Sequence, residues 1–240
     1  MLIGGVQELT TLDFPGRLAA VVFTLGCNFR CGYCHNPQFV QCQGETLTSR
    51  IPEEVFFKFL EKRRGKLEGV CISGGEPTLQ PDILEFARKI KNMGFLVKLD
   101  TNGTMSDVLE KMIAEKVVDF FAMDIKTSLS RYGEFLAVKP PIGGLTAKNL
   151  EEIKKSKEII QNSGLPYEFR TTAVKGKHTK EIFEEIGEWL KGAEAYFIQN
   201  FRNKKTLAEE YKNEEGFSEK ELAEFKKLMG KYVKNCGIRI

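Results

Sequence analysis

Short apolar runs and amphipathic stretches alternate along this chain, separated by clusters of polar or glycine-rich residues. The run at 18–24, Leu-Ala-Ala-Val-Val-Phe-Thr, predicts a strand, and Gly26 just beyond it allows a sharp turn. Residues 51–64 open on Ile-Pro-Glu-Glu, where proline and acids suit a first helical turn, and Val55, Phe56, Phe59 and Leu60 share one face. From 69 onward the pattern repeats as strand, loop, helix: strands at 69–73, 95–99, 117–123, 167–174 and 195–200, helices at 82–92, 106–115, 149–163 and 180–191. Gly94 and Gly164 stop two of those helices. A polar loop is expected at 38–48, and a short helix with a loop at 128–146, around Pro140-Pro141 and Gly143-Gly144. Near the end, 218–233 is amphipathic, with Leu222, Phe225, Leu228 and Met229 on one side, and 237–240 reads as a short strand. Ahead of the first strand, 4–17 is rich in turn formers and reads as a lead-in or a hairpin arm.

Strands alternating with helices imply a parallel sheet with right-handed crossovers. Six such units are too few for a closed eight-fold barrel, so the expected fold is α/β, an open partial (β/α)6 barrel of the TIM type in a single domain over 1–240. Residues 1–17 form its lead-in and 203–240 its helical tail and last strand. Ligand sites in parallel barrels gather at the carboxyl ends of strands. Three polar clusters sit at such ends: Gly74-Gly75-Glu76-Pro77, Asp100-Thr101-Asn102-Gly103 and Asp124-Ile125-Lys126.

Composition narrows the partners. Over 240 residues, 42% hydrophobic and 29% charged is enough for one sizeable core. A net charge of +3 against 36 basic and 33 acidic residues gives little basis for nucleic acid. No apolar run approaches the roughly 20 residues that span a bilayer, and Gln7, Glu8 and Asp13 interrupt the start, so neither a membrane nor a secretory leader is expected. Six cysteines, three of them clustered, suit a reducing compartment, and a cytoplasmic protein is expected.

The candidate chemistry lies in one stretch, Cys27-Asn28-Phe29-Arg30-Cys31-Gly32-Tyr33-Cys34-His35-Asn36-Pro37. Thiolates are soft ligands suited to iron–sulfur clusters, and a four-iron cube takes one cysteine per iron. Three local cysteines therefore leave one iron open to bind something small. Zinc is the competing reading, with His35 or Cys42 as a fourth ligand, but zinc sites usually pair two C-x2-C units and no second pair follows. A disulfide framework fits neither the length nor the expected compartment. Cys71, inside a strand, reads as a small buried hydrophobe.

The spacing C-x3-C-x2-C with Tyr33 before the last cysteine resembles the motif of the radical S-adenosylmethionine (SAM) superfamily. That resemblance implies a [4Fe-4S] cluster on Cys27, Cys31 and Cys34, SAM on the open iron, and the radical SAM version of the partial barrel. It also implies that Tyr33 lies near adenine and that Gly74, Gly75 and Glu76 form the loop whose backbone approaches the methionine amino group. Asp100-Thr101-Asn102-Gly103 and Asp124-Ile125-Lys126 are similar to loops that line the SAM pocket of the glycyl-radical activating enzymes. In that family the lysine, here Lys126, contacts SAM, and the two aspartates, here Asp100 and Asp124, hold a monovalent cation with carbonyls from Thr101 and the Ala122-Met123 region. Asn102 belongs to the same pocket, and Arg170 with Gln199 or Asn200 occupies places that meet SAM's carboxylate or ribose.

The opening, Leu12-Asp13-Phe14-Pro15-Gly16-Arg17 followed by a strand and the cysteine loop, resembles the anaerobic ribonucleoside-triphosphate reductase activating proteins, with pyruvate formate-lyase activating enzyme the next neighbour. Asp13 matches an acidic position at the partner's glycine loop; a surface turn is its other reading. The family scheme is implied with it. A flavodoxin or ferredoxin reduces the cluster, SAM is cleaved to a 5'-deoxyadenosyl radical, and the radical takes a hydrogen from a glycine Cα of the partner enzyme. No side chain serves as acid or base, and His178, between Lys177 and Lys180, is expected at the surface. Longer activases carry further cysteine-rich inserts; Cys42, Cys71 and Cys236 are too scattered for that, so one cluster is expected. Radical chemistry on a small molecule or an RNA base, and a non-catalytic cluster or zinc protein, are the other readings.

Overall fold

The computed structural model describes residues 1–40, 50–133 and 146–240. Cys42, most of the expected polar loop at 38–48 and the Pro140-Pro141 and Gly143-Gly144 stretch lie outside the described residues. Eight strands form one sheet in chain order: β1 Ile3–Thr10, β2 Ala19–Thr24, β3 Gly69–Gly74, β4 Leu96–Thr101, β5 Phe120–Asp124, β6 Tyr167–Ala173, β7 Ala195–Asn200 and β8 Asn235–Arg239. All neighbours from β2 to β8 pair in parallel, whereas β1 runs antiparallel to β2. The edges β1 and β8 do not pair, so the barrel is open, as expected, but its sheet is mixed.

The antiparallel edge has a local cause. Phe14-Pro15-Gly16-Arg17 closes as a tight turn, with Arg17 N–H donating to the Phe14 carbonyl at 3.1 Å and Gly16 at φ +71°. Proline followed by a residue of positive φ is the signature of that turn. It folds the lead-in back on β2 as a hairpin and drives Phe14 under the barrel, where it is buried and packs 5.9 Å from the Phe120 ring. At the other edge the final strand begins at Asn235 and pairs with β7, extending the parallel run by one strand.

Six helices of the described residues cover the outer face: α1 Glu53–Lys62, α2 Ile83–Asn92, α3 Ser106–Ala114, α4 Ala147–Asn162, α5 Lys180–Trp189 and α6 Glu219–Met229. Capping boxes at Thr146/Asn149 and Ser218/Glu221 start α4 and α6 by satisfying amide donors that have no partner inside the helix. Aromatic contacts tie neighbouring helices, with Phe56 on Phe86 at 5.4 Å and Phe183 on Phe225 at 4.4 Å. Burial of those rings is the main favourable term holding helices to sheet. No helix among the described residues is long and apolar enough to cross a membrane.

Because β2 to β5 are parallel, the segments after Thr24, Gly74, Thr101 and Asp124 emerge at one rim. The opposite rim carries the Phe14 turn. Strand alternation sends Lys98 and Asp100 to one face of β4 and Val97 and Leu99 to the other.

Candidate functional site

A cavity of about 400 Å3 runs through the barrel, within the range of roughly 300–1,000 Å3 typical of small-molecule sites. Cys27, Cys31 and Cys34 face it from the loop after β2, with Tyr33 beside them. Gly74, Gly75 and Glu76 follow β3, Asp100, Thr101 and Asn102 end β4, and Asp124 and Lys126 end β5. Arg170 and Gln199 line it from β6 and β7. Asp13 borders the same space from the opposite rim, its carboxylate accepting from Thr10 Oγ1 at 2.5 Å within the turn.

Backbone contacts hold these loops together. Gly26, at φ +91°, turns the chain out of β2, and its carbonyl accepts from Glu76 N–H at 2.8 Å. A Cβ on Gly75 would fall on that Gly26 carbonyl, so only glycine allows the two loops to touch. Glu76 is buried and accepts from Thr78 N–H (3.1 Å), Thr101 Oγ1 (2.8 Å) and Asn102 N–H (2.6 Å), stitching the loop after β3 to the loop after β4. Asn102 Nδ2 donates to Asn28 Oδ1 at 2.9 Å, and Asn28 Nδ2 donates to Thr104 Oγ1 at 2.8 Å, which ties both to the cysteine loop. Arg30 braces that loop from within, donating to the Cys27 and Phe29 carbonyls at 2.5 and 2.9 Å.

The segment 201–217, which carries no sequence motif, crosses the outside of the cysteine loop. Leu207 and Ala208 N–H both donate to the Gly32 carbonyl at 3.0 Å, and Tyr211 packs 5.9 Å from Tyr33 where a Cβ on Gly32 would collide with it. His35 stacks on Phe201 at 5.7 Å, its Nε2 3.1 Å from the Arg202 carbonyl. Asn200 clamps the far end of this strap, donating to the Phe217 carbonyl and accepting from Phe217 N–H, both at 2.8 Å. It does not line the cavity. Neighbouring residues of a strand point to opposite faces, and of the two expected candidates it is Gln199 that faces inward.

Burial sets the chemistry of the thiols. It pushes Cys27 up to about 12, with help from Glu76, and Cys31 up to about 11 against the opposing effect of Lys126. Cys34 moves in the same direction for the same reason. Among the described residues no three His, Cys, Asp or Glu groups converge tightly enough for a single metal ion. A lone ion holds thiolates about 2.3 Å away and so within about 4 Å of one another. A four-iron cube takes one cysteine per iron and spaces them more widely. Three thiols facing one cavity are soft donors of the kind such a cluster requires.

The acidic residues fit a different arrangement from the expected cation. Arg170 Nη2 and Nε approach Asp124 Oδ1 at 2.9 and 3.0 Å, and its Nη1 lies 3.5 Å from Asp100. Lys126 Nζ donates to Asp124 Oδ2 at 2.8 Å, and Lys98 Nζ donates to Asp100. Burial works against both carboxylates, but Arg170 and the lysines outweigh it and hold Asp100 and Asp124 below the usual carboxylate range. Three protein cations already face two carboxylates. Ala122 and Met123 are fully buried within β5. Both carboxylates expected at the cation are thus paired with protein cations, and Glu168 lies 3.9 Å from the same Arg170 guanidinium.

An open α/β barrel with a three-thiol loop at the carboxyl rim and polar strand ends around one cavity defines a cofactor-dependent enzyme site. The radical SAM superfamily model matches residues 21–190, and the chain belongs to that superfamily, in its glycyl-radical-enzyme-activating group. A Methanocaldococcus jannaschii protein provisionally named a glycyl-radical enzyme activating enzyme is 38% identical over 240 residues, covering 99% of this chain and 95% of its own. The pyruvate formate-lyase-activating enzyme of Streptococcus mutans is 33% identical over 135 residues, or 52% of this chain and 50% of that one. In fold, the crystal structure of Streptococcus suis SuiB bound to precursor peptide SuiA superposes with a TM-score of 0.67 at 13% identity, over 90% of this chain and 47% of that one.

His178 differs from expectation. It is buried, its Nδ1 accepting from Val174 N–H at 3.1 Å and its Nε2 3.0 Å from the Lys126 carbonyl, so it anchors the loop that presents Lys126. Lys177 and Lys180 favour the surface, but the turn at Val174 draws the ring inward. Burial lowers its pKa to about 4 from 6.5. Between those values the unfolded chain binds a proton that the folded one refuses, so stability falls as pH drops through that window, by roughly 3 kcal/mol in full. Thermal melts from pH 7 to pH 4 will show His178→Gln, which keeps one acceptor and one donor, less acid-sensitive than the wild type. Parallel curves would remove this assignment.

Proposed function

We propose that this chain is an activase that generates a glycyl radical on a partner enzyme. The observation that carries the reading is the convergence of three thiols and three carboxyl-end loops on one cavity. When bound, the [4Fe-4S] cluster and SAM supply the one-electron and hydrogen-abstraction chemistry, which the protein must align and keep dry.

In this reading Cys27, Cys31 and Cys34 hold the cluster and the strap at 201–217 covers their outer side. Gly74 and Gly75 line the cavity where the methionine end of SAM would lie, their missing side chains letting this loop close on Thr24 and Gly26, with Glu76 and Asn102 fixing the loops on either side. Lys126 and Arg170 offer positive charge to its carboxylate, Asp124 holds both side chains in place, and Gln199, of the two candidates there, meets the ribose. Tyr33 stands at the adenine. Asp13, on the opposite rim of the same cavity, meets the partner's glycine loop. The reductant is a flavodoxin or ferredoxin.

The amino-terminal motif points to an anaerobic ribonucleotide reductase as partner, whereas the similarity to the Streptococcus mutans enzyme favours one of the pyruvate formate-lyase kind. Anaerobic incubation of the reconstituted enzyme with SAM, reductant and each of the two partner types discriminates. A doublet glycyl-radical EPR signal is expected with one of them. SAM cleavage with no doublet on any glycyl-radical enzyme would sink the activase reading and favour a small-molecule or RNA substrate.

A further inference from the structure

We propose that Lys98 is a fixed internal cation that does at Asp100 what an exchangeable monovalent ion was expected to do, making SAM binding by this protein independent of potassium and sodium. The inference rests on the reading that SAM binds in the barrel cavity.

Lys98 is fully buried in the middle of β4. Its Nζ donates to Asp100, lies 3.8 Å from Cys71 Sγ on the paired strand and sits 5.9 Å from the Phe120 ring centroid. Register explains the placement: Lys98 pairs with Cys71 on one side and Phe120 on the other. A buried ammonium survives only if a counter-charge offsets its desolvation. Asp100 is that counter-charge. Although burial alone would lower the Lys98 pKa, Asp100 and then Cys71 raise it overall, so the side chain stays charged.

Asp100 has little left to offer a solvent ion. A carboxylate presents about four acceptor positions. Lys98 and Ser73 Oγ at 3.0 Å take two of them, and the Arg170 guanidinium, with Nη1 at 3.5 Å, adds its positive charge beside the same carboxylate. A further cation would also meet the repulsion of three protein cations within the same low-dielectric wall. An ammonium carried on strand β4 needs no capture from solvent, so its charge is present whatever the salt. Lys98 touches Asp100 and not the cavity residues beyond it, and is therefore a positioning residue.

The test measures SAM affinity calorimetrically on cluster-reconstituted protein in potassium, sodium and choline salts of equal ionic strength. Wild-type affinity is expected to agree within about twofold among the three. Lys98→Ala empties the space of the stem and ammonium, and its affinity in choline is expected to fall about tenfold and to return with potassium or ammonium. Lys98→Met fills the space without charge, so its affinity falls and neither ion restores it. Iron content and circular dichroism establish that the variants fold; if they do not, the wild-type salt series decides alone. Wild-type affinity that rises severalfold with potassium would overturn the inference while leaving the activase reading intact. A Lys98→Ala protein that binds SAM normally in choline, or that no ion restores, would overturn it as well. A wild type that binds no SAM in any salt would overturn both.

Discussion

Replacing any one of Cys27, Cys31 and Cys34 by alanine will abolish SAM cleavage, because in the proposed reading each thiolate holds one corner of the cluster. The three thiols line one wall of one cavity, and the loop that carries them is pinned at Gly26, at Asn28 and at Gly32. Alanine supplies no donor, and a buried loop built for thiolates has no substitute to offer. His35 is turned to the strap by its contact with the Arg202 carbonyl. Cys236 lies at the far edge on β8, so Cys236→Ala should keep full activity and iron content. Cys42→Ala is the second control. Iron and sulfide per chain, with 5'-deoxyadenosine formed under reductant, read the outcome. Cleavage that persists in any of the three variants would refute the ligand assignment.

The second large effect falls on stability. Arg170→Met should destabilise the fold by about 3–5 kcal/mol, the usual result of stripping one partner from a buried charge group. Arg170 bridges Asp124 and Asp100 and approaches Glu168 at 3.9 Å. Glu168 keeps its bidentate partner Arg239, at 2.7 Å for both bonds, so most of the loss arises at the two aspartates. Adding Asp124→Asn to Arg170→Met should recover part of the loss, since the neutral amide no longer carries an unpaired charge into the barrel. Denaturant unfolding of the single and double variants gives the coupling directly. Strictly additive losses would show that Arg170 contributes packing rather than charge pairing.

The legible part of this protein was periodic or contiguous. Apolar runs alternating with amphipathic ones announced the parallel units, and the cysteine loop and the three strand-end clusters could be read because their residues adjoin in the chain. The carboxyl-rim rule for parallel strands places them together. Hairpin formation by β1 was open beforehand, although Phe14-Pro15-Gly16-Arg17 carries the signature of the turn that causes it.

Contacts between distant segments were not legible. Lys98 reads as an ordinary polar position in Leu-Val-Lys-Leu-Asp; only its confinement to an interior strand of a parallel sheet makes it a buried charge that must be paired. His178 was misplaced by its lysine neighbours, and Asn200 by strand phase, where one residue reverses the face.

By itself, the amino-acid sequence determined the class of fold, the rim that carries the chemistry and the soft-donor loop, because each depends on local period or spacing. The tertiary structure alone decided which charges meet inside the barrel, which of Gln199 and Asn200 faces inward, and that 201–217 straps the cysteine loop. Those outcomes depend on the register of strands far apart in the chain and on desolvation, which forces every buried charge to find a partner that sequence proximity does not name.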